Sequence, residues 1–294
     1  MSASALQDDL ELNSRLDASL LSVLVLAATP IGNLSDASPR LLAALAESEV
    51  IACEDTRTLS HLAKALGVTL KGKLLSLHDH NERESAARIV ELAKEQRVLL
   101  VSDAGMPTIS DPGYNIVREC AEAGLEVSVI PGPSAVISAL AVSGLATDRF
   151  SFEGFLPRKS GERRRLFQNL ERELRTMVFF EAPHRILDAL EDAQAVLGPD
   201  RQASVARELT KKFEHVERGT LSELIKWAKG APKGEMVLVI AGAKPDQFDY
   251  DDLAKKALEL AGDGLGMKAA AAEVAEATGA SKSVIYEHAL RLKA

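Results

Sequence analysis

The run Val98–Gly113, VLLVSDAGMPTISDPG, decides how the rest of the chain is read. Four apolar residues with no polar interruption suit a strand buried on both faces, as in a parallel sheet. The chain then breaks into Ser102-Asp103-Ala104-Gly105-Met106-Pro107 and Ile109-Ser110-Asp111-Pro112-Gly113. Proline fixes φ and glycine lets a ligand approach the backbone, so such a loop is rigid and closely fitted. In open α/β sheets ligands sit outside the carboxyl ends of the strands. The same pattern recurs three times. Val23–Ala28 runs into Thr29-Pro30-Ile31-Gly32-Asn33, and Val127–Ile130 into Pro131-Gly132-Pro133-Ser134-Ala135. Met177–Phe180 runs into Glu181-Ala182-Pro183-His184-Arg185. One such loop is ordinary turn chemistry. Four at strand ends mark a site.

Outward from these loops, short apolar runs alternate with amphipathic stretches, which predicts an α/β fold with a largely parallel sheet. Strands are expected at Val23–Ala28, Val50–Cys53, Val98–Ser102, Glu126–Ile130, Met177–Phe180, Gln202–Ala206 and Glu235–Ala241. Helices are expected at Pro39–Glu47, Leu59–Leu66, Glu82–Gln96, Tyr114–Ala123, Ala135–Val142, Gly161–Glu173, Arg185–Leu197 and Leu221–Lys229. The boundaries drawn are a mobile polar tail at 1–21, an N-terminal α/β domain at 22–145, a second α/β domain at 146–245 and a helical C-terminal domain at 246–294. In the last of these, Met267–Ala277, a Thr278–Ser281 turn and Lys282–Leu292 have helix–turn–helix spacing. Lys282, Arg291 and Lys293 offer positive charge there, opposed by Glu287.

The chain has 294 residues, 46% hydrophobic and 27% charged, enough to bury a core without a disulfide or metal staple. Its two cysteines, Cys53 and Cys120, form no C-x-x-C, which suits a reducing cytoplasm and argues against structural zinc. The apolar run Leu20–Ala28 follows acidic rather than basic residues and is too short for a membrane span, so it reads as a buried strand. The net charge of −8 argues against a general nucleic-acid coat protein but leaves room for a local basic patch. There is no G-x-x-x-x-G-K-[ST], no G-x-G-x-x-G after a strand and no G-x-S-x-G, which disfavours phosphate-cradling enzymes and α/β-hydrolases.

Three charged constellations remain. Glu54-Asp55-Thr56-Arg57 follows a strand and reads either as site chemistry or as helix capping by Asp55 or Thr56. His78-Asp79-His80-Asn81-Glu82 lacks a third ligand set for a metal, so capping by Asn81 is the plainer reading. Pro157–Arg165 gathers Arg158, Lys159, Arg163, Arg164 and Arg165 against Glu162 alone, and is expected to contact a phosphate backbone over the interdomain cleft.

With these pieces in order, the chain resembles the tetrapyrrole methylase superfamily. Within it, the resemblance is to the ribosomal RNA small subunit methyltransferase I family of cytidine 2′-O-methyltransferases. The matching segments are ATPIGNLSD, CEDTR, HDHNE, VSDAGMPTISDPG, IPGPSA, FEGFLPRK, FFEAPHR, ARELTKKFE and GEMVLVIAG, from Ala28 to Gly242. The resemblance implies a two-domain fold with S-adenosylmethionine in the interdomain cleft and no metal. It implies a homodimer acting on the assembled small ribosomal subunit near its decoding centre, in the cytoplasm. It places Pro30, Asp103, Ala104, Gly105, Met106, Ile109, Ser134, Ala135, Glu181, Ala206, Glu235 and Met236 around the cofactor. Attack of a ribose hydroxyl on the sulfonium methyl needs alignment and help with a proton. Asp103 and Glu181 are the chosen catalytic residues, with Asp55, Glu208, His80 and His184 as further candidates. Arg57, Arg158, Lys159, Arg163, Arg185, Arg207 and Lys211 are expected at the RNA. Two rivals are a methylase of a corrin or porphyrin precursor and a DNA-binding regulator using the C-terminal helices.

Overall fold

The computed structural model describes residues 23–77, 82–244 and 249–293. The predicted tail and the His78–Asn81 cluster lie outside them. The chain divides into two compact units, Met1–Ala241 and Gly242–Ala294.

The first half of the large unit comprises β1 (Val23–Ala27), α1 (Pro39–Glu47), β2 (Val50–Cys53), α2 (Thr56–Ala65), β3 (Lys73–Ser76), α3 (Glu82–Ala93), β4 (Val98–Val101), α4 (Tyr114–Glu122), β5 (Glu126–Ile130) and α5 (Ala135–Val142). Its five strands are all parallel, in the order β3-β2-β4-β1-β5. Both faces are covered, which is why the strands read as unbroken apolar runs. Leu24, Leu26, Val98 and Leu100 pack toward Ala86, Ile89, Ile116 and Cys120 of α3 and α4. The intervening Val25, Ala27, Leu99 and Val101 pack toward Leu41, Leu45 and Leu59 of α1 and α2. Ser38 caps α1 through Leu41 N–H, with proline in its first turn, and Asp55 caps α2 through Arg57 N–H. The capping reading of Asp55 therefore holds.

The second half comprises β6 (Phe150–Phe155), α6 (Ser160–Asn169), β7 (Thr176–Glu181), α7 (Ile186–Leu197), β8 (Gln202–Arg207), β9 (His215–Thr220), α8 (Leu221–Ala228) and β10 (Met236–Ile240). Here the expectation of a largely parallel sheet is corrected. The order is β6-β7-β10-β8-β9, and only β6 and β7 are parallel. β10 runs antiparallel between β7 and β8, and β9 antiparallel to β8. The connection from β8 to β9 is too short for a crossover helix, so the chain must return antiparallel. One face of this sheet packs on α6, α7 and α8 through Phe167, Leu190, Leu224 and Phe179. The other face, with Val178, Ala206, Val237 and Val239, packs on Val136, Ala139 and Leu140 of α5. α5 buries Val136, Ala139 and Leu140 against this sheet and leaves Ile137 and Val142 exposed on its other side.

The small unit is a three-helix cluster of α9 (Tyr250–Gly262), α10 (Met267–Thr278) and α11 (Lys282–Lys293), with its own core of Leu253, Ala257, Ala270, Val274 and Ile285. α10 ends at Gly279, whose φ of 77° is the left-handed conformation glycine supplies at a helix C-terminus. No helix among the described residues is long and apolar enough to cross a membrane.

Candidate active site

Strand order brings the loops together. β4, β1 and β5 are parallel neighbours, with Ala27 registered against both Val101 and Ile130, so the loops after all three emerge side by side. β2 lies on the other flank of β4, which brings Asp55 N–H to 3.2 Å from Asp103 Oδ1. In the second sheet Met236 is registered against both Glu181 and Arg207. Because β10 is antiparallel, its beginning lies at the same end as the finishes of β7 and β8. A parallel β10 would carry Glu235 and Met236 to the far side.

These two ends face one cavity of about 460 Å³ in the large unit. Of the twelve residues expected around the cofactor, eleven line it: Asp103, Ala104, Gly105, Met106, Ile109, Ser134, Ala135, Glu181, Ala206, Glu235 and Met236. Pro30 does not; it is buried behind the loop, and its neighbour Ile31 reaches the cavity instead. The walls also include Asp111, Phe155, Phe180 and Leu209, none of which the sequence reading singled out as site residues. Asp111 lies in the SDPG run after β4 and Phe155 in FEGFLPRK, so both belong to segments whose residue pattern marks a strand end.

The loops are held by a small buried network. Thr29 N–H donates to the Gly105 carbonyl at 2.9 Å and Gly105 N–H returns to the Thr29 carbonyl at 3.2 Å. Thr29 Oγ1 donates to the Ser102 carbonyl, and Ser102 Oγ to the Gly105 carbonyl at 2.9 Å. Gly105 has φ 90°, a conformation costly for any other residue. Two non-glycine triplets share an unusual form: Thr108 and Ser110 flank Ile109, and Glu208 and Thr210 flank Leu209, all four flanking residues at positive φ. In both cases the middle apolar side chain faces the cavity. Such backbone strain is characteristic of functional sites.

The carboxylates differ in environment. Glu181 is buried; its Oε1 accepts from Ala182 N–H at 2.8 Å and its Oε2 from Arg185 at 3.1 Å. Burial pushes its pKa up, with Ala182 and Arg185 opposing. Asp111 is pushed up to about 6 by burial and by the charges of Glu54 and Asp103, against a hydrogen bond from Ser102. Asp55 is held down at about 2 by its hydrogen bonds to Arg57. Cys53, beneath the site, is pushed up to about 12 by burial and the neighbouring Asp103 and Asp55, so its thiol is inert as a nucleophile. Among the described residues, no group of three His, Cys, Asp or Glu is placed to hold a metal ion.

The basic residues sort differently from expectation. Arg158, Lys159, Arg164 and Arg165 are exposed around the start of α6. Arg163, expected at the RNA, is instead only 3% exposed. Its Nε donates to Asp192 Oδ2 at 2.8 Å, and its NH1 to the carbonyls of Pro157 and Arg158. The helical repeat buries Arg163 against α7, where Arg164 also reaches Asp192 at 2.6 Å from its exposed position. Arg185, half-buried, donates to the carbonyls of Leu156 and Pro157 and to Glu181, tying the β6–α6 turn to the end of β7. Arg57 is exposed and paired with Asp55. Lys211 lies between Glu208 and Glu235, and Arg207 donates to the Lys233 carbonyl at 2.7 Å.

Two connected α/β halves with a cavity between their loop ends define a class of fold. Residues 23–225 match the family described as Tetrapyrrole (Corrin/Porphyrin) Methylases, and residues 249–293 match the RsmI C-terminal HTH domain. Solved structures of diphthine synthase (TM-score 0.55, 19% identity, 74% of this chain and 89% of that one) and of the methyltransferase CobJ (0.55, 22%, 75% and 94%) share the fold. Proteins named ribosomal RNA small subunit methyltransferase I are far closer in sequence. That of Haemophilus influenzae is 47% identical, covering 92% of this chain and 97% of that protein. That of Mycobacterium tuberculosis (strain CDC 1551 / Oshkosh) is 48% identical over 86% and 89%. The chain is a methyltransferase and belongs to the ribosomal RNA small subunit methyltransferase I family.

Proposed function

We propose that this enzyme methylates the ribose 2′-hydroxyl of a cytidine in small-subunit ribosomal RNA, using S-adenosylmethionine and acting in the cytoplasm on the assembled subunit near its decoding centre. The observation that carries the reading is the single cavity on which eleven expected residues from both sheets converge. Its donor set suits that cofactor. Apolar walls at Met236, Val237, Ile109 and Leu209 fit an uncharged purine, while Asp103, Asp111 and Glu181 suit an ammonium and a sulfonium. No phosphate loop is needed. When bound, the cofactor supplies an electrophilic methyl group.

The chain's own contribution is to hold, orient and accept a proton. Glu181, fixed by Ala182 and Arg185, orients what lies beside it. Asp103, whose Oδ1 is anchored by Asp55 N–H, accepts the hydroxyl proton through its remaining lone pairs. Arg158, Lys159, Arg57 and Arg207 bind RNA phosphates; Arg163, Arg185 and Lys211, engaged internally, do not. The enzyme works as a homodimer, for which the exposed Val129, Ile137 and Val142 provide apolar surface to cover.

The test is transfer of labelled methyl to small ribosomal subunits from cells lacking the protein, followed by alkaline digestion of the RNA. Label in an alkali-resistant dinucleotide supports 2′-O-methylation. Label in mononucleotides moves the reaction to a base, and no label despite cofactor binding overturns the substrate.

A further inference from the structure

Beyond the methyl-transfer cavity, the β8–β9 turn and the end of α8 build a second surface with the chemistry of a nucleotide subsite. Phe213, in that turn, is 64% exposed, an unusual position for a large aromatic ring. Lys212 places its ammonium 5.6 Å from the ring centroid. A few residues on, His215 stacks against Trp227 of α8, with centroids 6.4 Å apart and planes 25° from parallel. These side chains, with Arg207, Glu214 and Pro232, surround an open depression of about 540 Å³. A second depression of about 350 Å³ continues it past Arg207, Phe213 and Lys233 to Glu208 and Gly234. Their neighbours Leu209 and Glu235 are already walls of the methyl-transfer cavity. The aromatic surface and the reaction site thus form one track along the end of the second sheet.

The charges along this track point to a polyanion. Among the described residues, Arg207, Lys212 and Lys233 have no carboxylate within ion-pair distance, although Arg207 does act on Glu208 electrostatically. These three cations lie beside the exposed rings of Phe213 and His215, with Glu214, among the described residues, the one carboxylate lining the larger depression. The turn is also preorganised. Lys211 N–H donates to the Glu208 carbonyl, Glu214 N–H to the Lys211 carbonyl, and the Glu214 carboxylate accepts from Thr210 N–H. Aromatic faces with interleaved cations are how proteins hold single-stranded nucleic acid, because every base has a face to stack and every linkage a charge.

We propose that Phe213 stacks a base of a single-stranded RNA segment flanking the target nucleotide, while Lys212, Arg207 and Lys233 hold its phosphates. This rests on the RNA-methylation reading above and adds to it the surface by which the substrate is registered. The alternative occupant, a protein surface of the subunit, is an outcome of the test.

The test measures steady-state methylation of small subunits over a range of salt concentrations by the full chain and by Phe213→Ala, Phe213→Trp and Lys212→Ala. Phe213→Ala should raise KM about tenfold or more with kcat and cofactor affinity little changed, and Phe213→Trp should restore it. Lys212→Ala should reduce the slope of log KM against log salt by about one phosphate's worth. The exposure of both residues makes misfolding a minor risk, which circular dichroism checks. If the wild type methylates and Phe213→Ala keeps its KM within twofold, the subsite is wrong while the function stands. If KM rises but Lys212→Ala leaves the salt slope unchanged, the surface docks a protein and the RNA proposal falls. A wild type that methylates no RNA removes the function on which the subsite depends.

Discussion

Replacing Arg163 by alanine separates the two roles that a basic helix can have. The side chains of Arg163 and Asp192 are each only 4% exposed, so both charges are desolvated. Removing one partner of a buried pair usually costs ~3–5 kcal/mol, because the other charge is left without compensation. Arg164 and Ser160 still reach Asp192 Oδ1, at 2.6 and 2.9 Å, which places the expected loss near the lower end, about 3 kcal/mol. The carbonyls of Pro157 and Arg158 also lose their donor. At roughly 2–4 °C per kcal/mol for a protein of this size, Arg163→Ala should melt about 6–12 °C below wild type. Arg158→Ala, on the exposed side of the same turn, should leave the melting temperature alone. Arg163→Met with Asp192→Leu should recover part of the loss, since an apolar pair needs no desolvation while the carbonyls of Pro157 and Arg158 still lack their donor. The measurement is thermal denaturation at constant pH with methylation assayed in parallel. An Arg163→Ala protein that melts within a degree of wild type but has a raised KM for subunits would refute the buried clamp and return Arg163 to the RNA.

Three further outcomes follow from the same geometry. Asp111 has its folded pKa raised from 3.8 to about 6, so the folded state binds the extra proton and stability falls as pH climbs from about 4 to 6. Asp111→Asn should therefore add on the order of 1–3 kcal/mol at pH 7.5 and almost nothing at pH 4, read from denaturation curves at the two pH values; an equal gain at both would exclude titration as the cause. Gly234→Ala would place a Cβ 2.3–2.5 Å from the Glu208 side chain at a φ of 94°, and should cost roughly 2 kcal/mol and weaken cofactor binding, measured by calorimetry. Deleting residues from Tyr250 onward should leave cofactor affinity within about twofold, because the described residues lining the cavity all belong to the large unit; loss of binding with retained fold would show that the helices complete the site.

What the sequence reveals here depends on whether a residue's role is set locally or by a partner far away. The loops after β1, β4 and β5 are readable because proline and glycine announce themselves wherever they stand, and a parallel sheet with both faces covered leaves no choice about which end they occupy. The direction of β10 is not local. MVLVI is equally apolar in either orientation, and only the short β8–β9 return and the pairing of Met236 with both Glu181 and Arg207 settle it. β9, HVERGT, was invisible as a strand because an edge position tolerates charge and glycine, so its alternation is weak. The five basic residues of Arg158–Arg165 look alike in a list of residues. The helical repeat buries Arg163 against Asp192, 29 residues further on, lets the half-exposed Arg164 reach the same carboxylate, and leaves Arg158, Lys159 and Arg165 in water. Asp111 shows the same limit in electrostatics: its pKa is raised by burial together with Glu54, which lies on another strand's loop. A residue type and its neighbours in the chain thus point to the loops that line this cavity, while the protonation and pairing of its carboxylates are fixed only when the strands have been ordered.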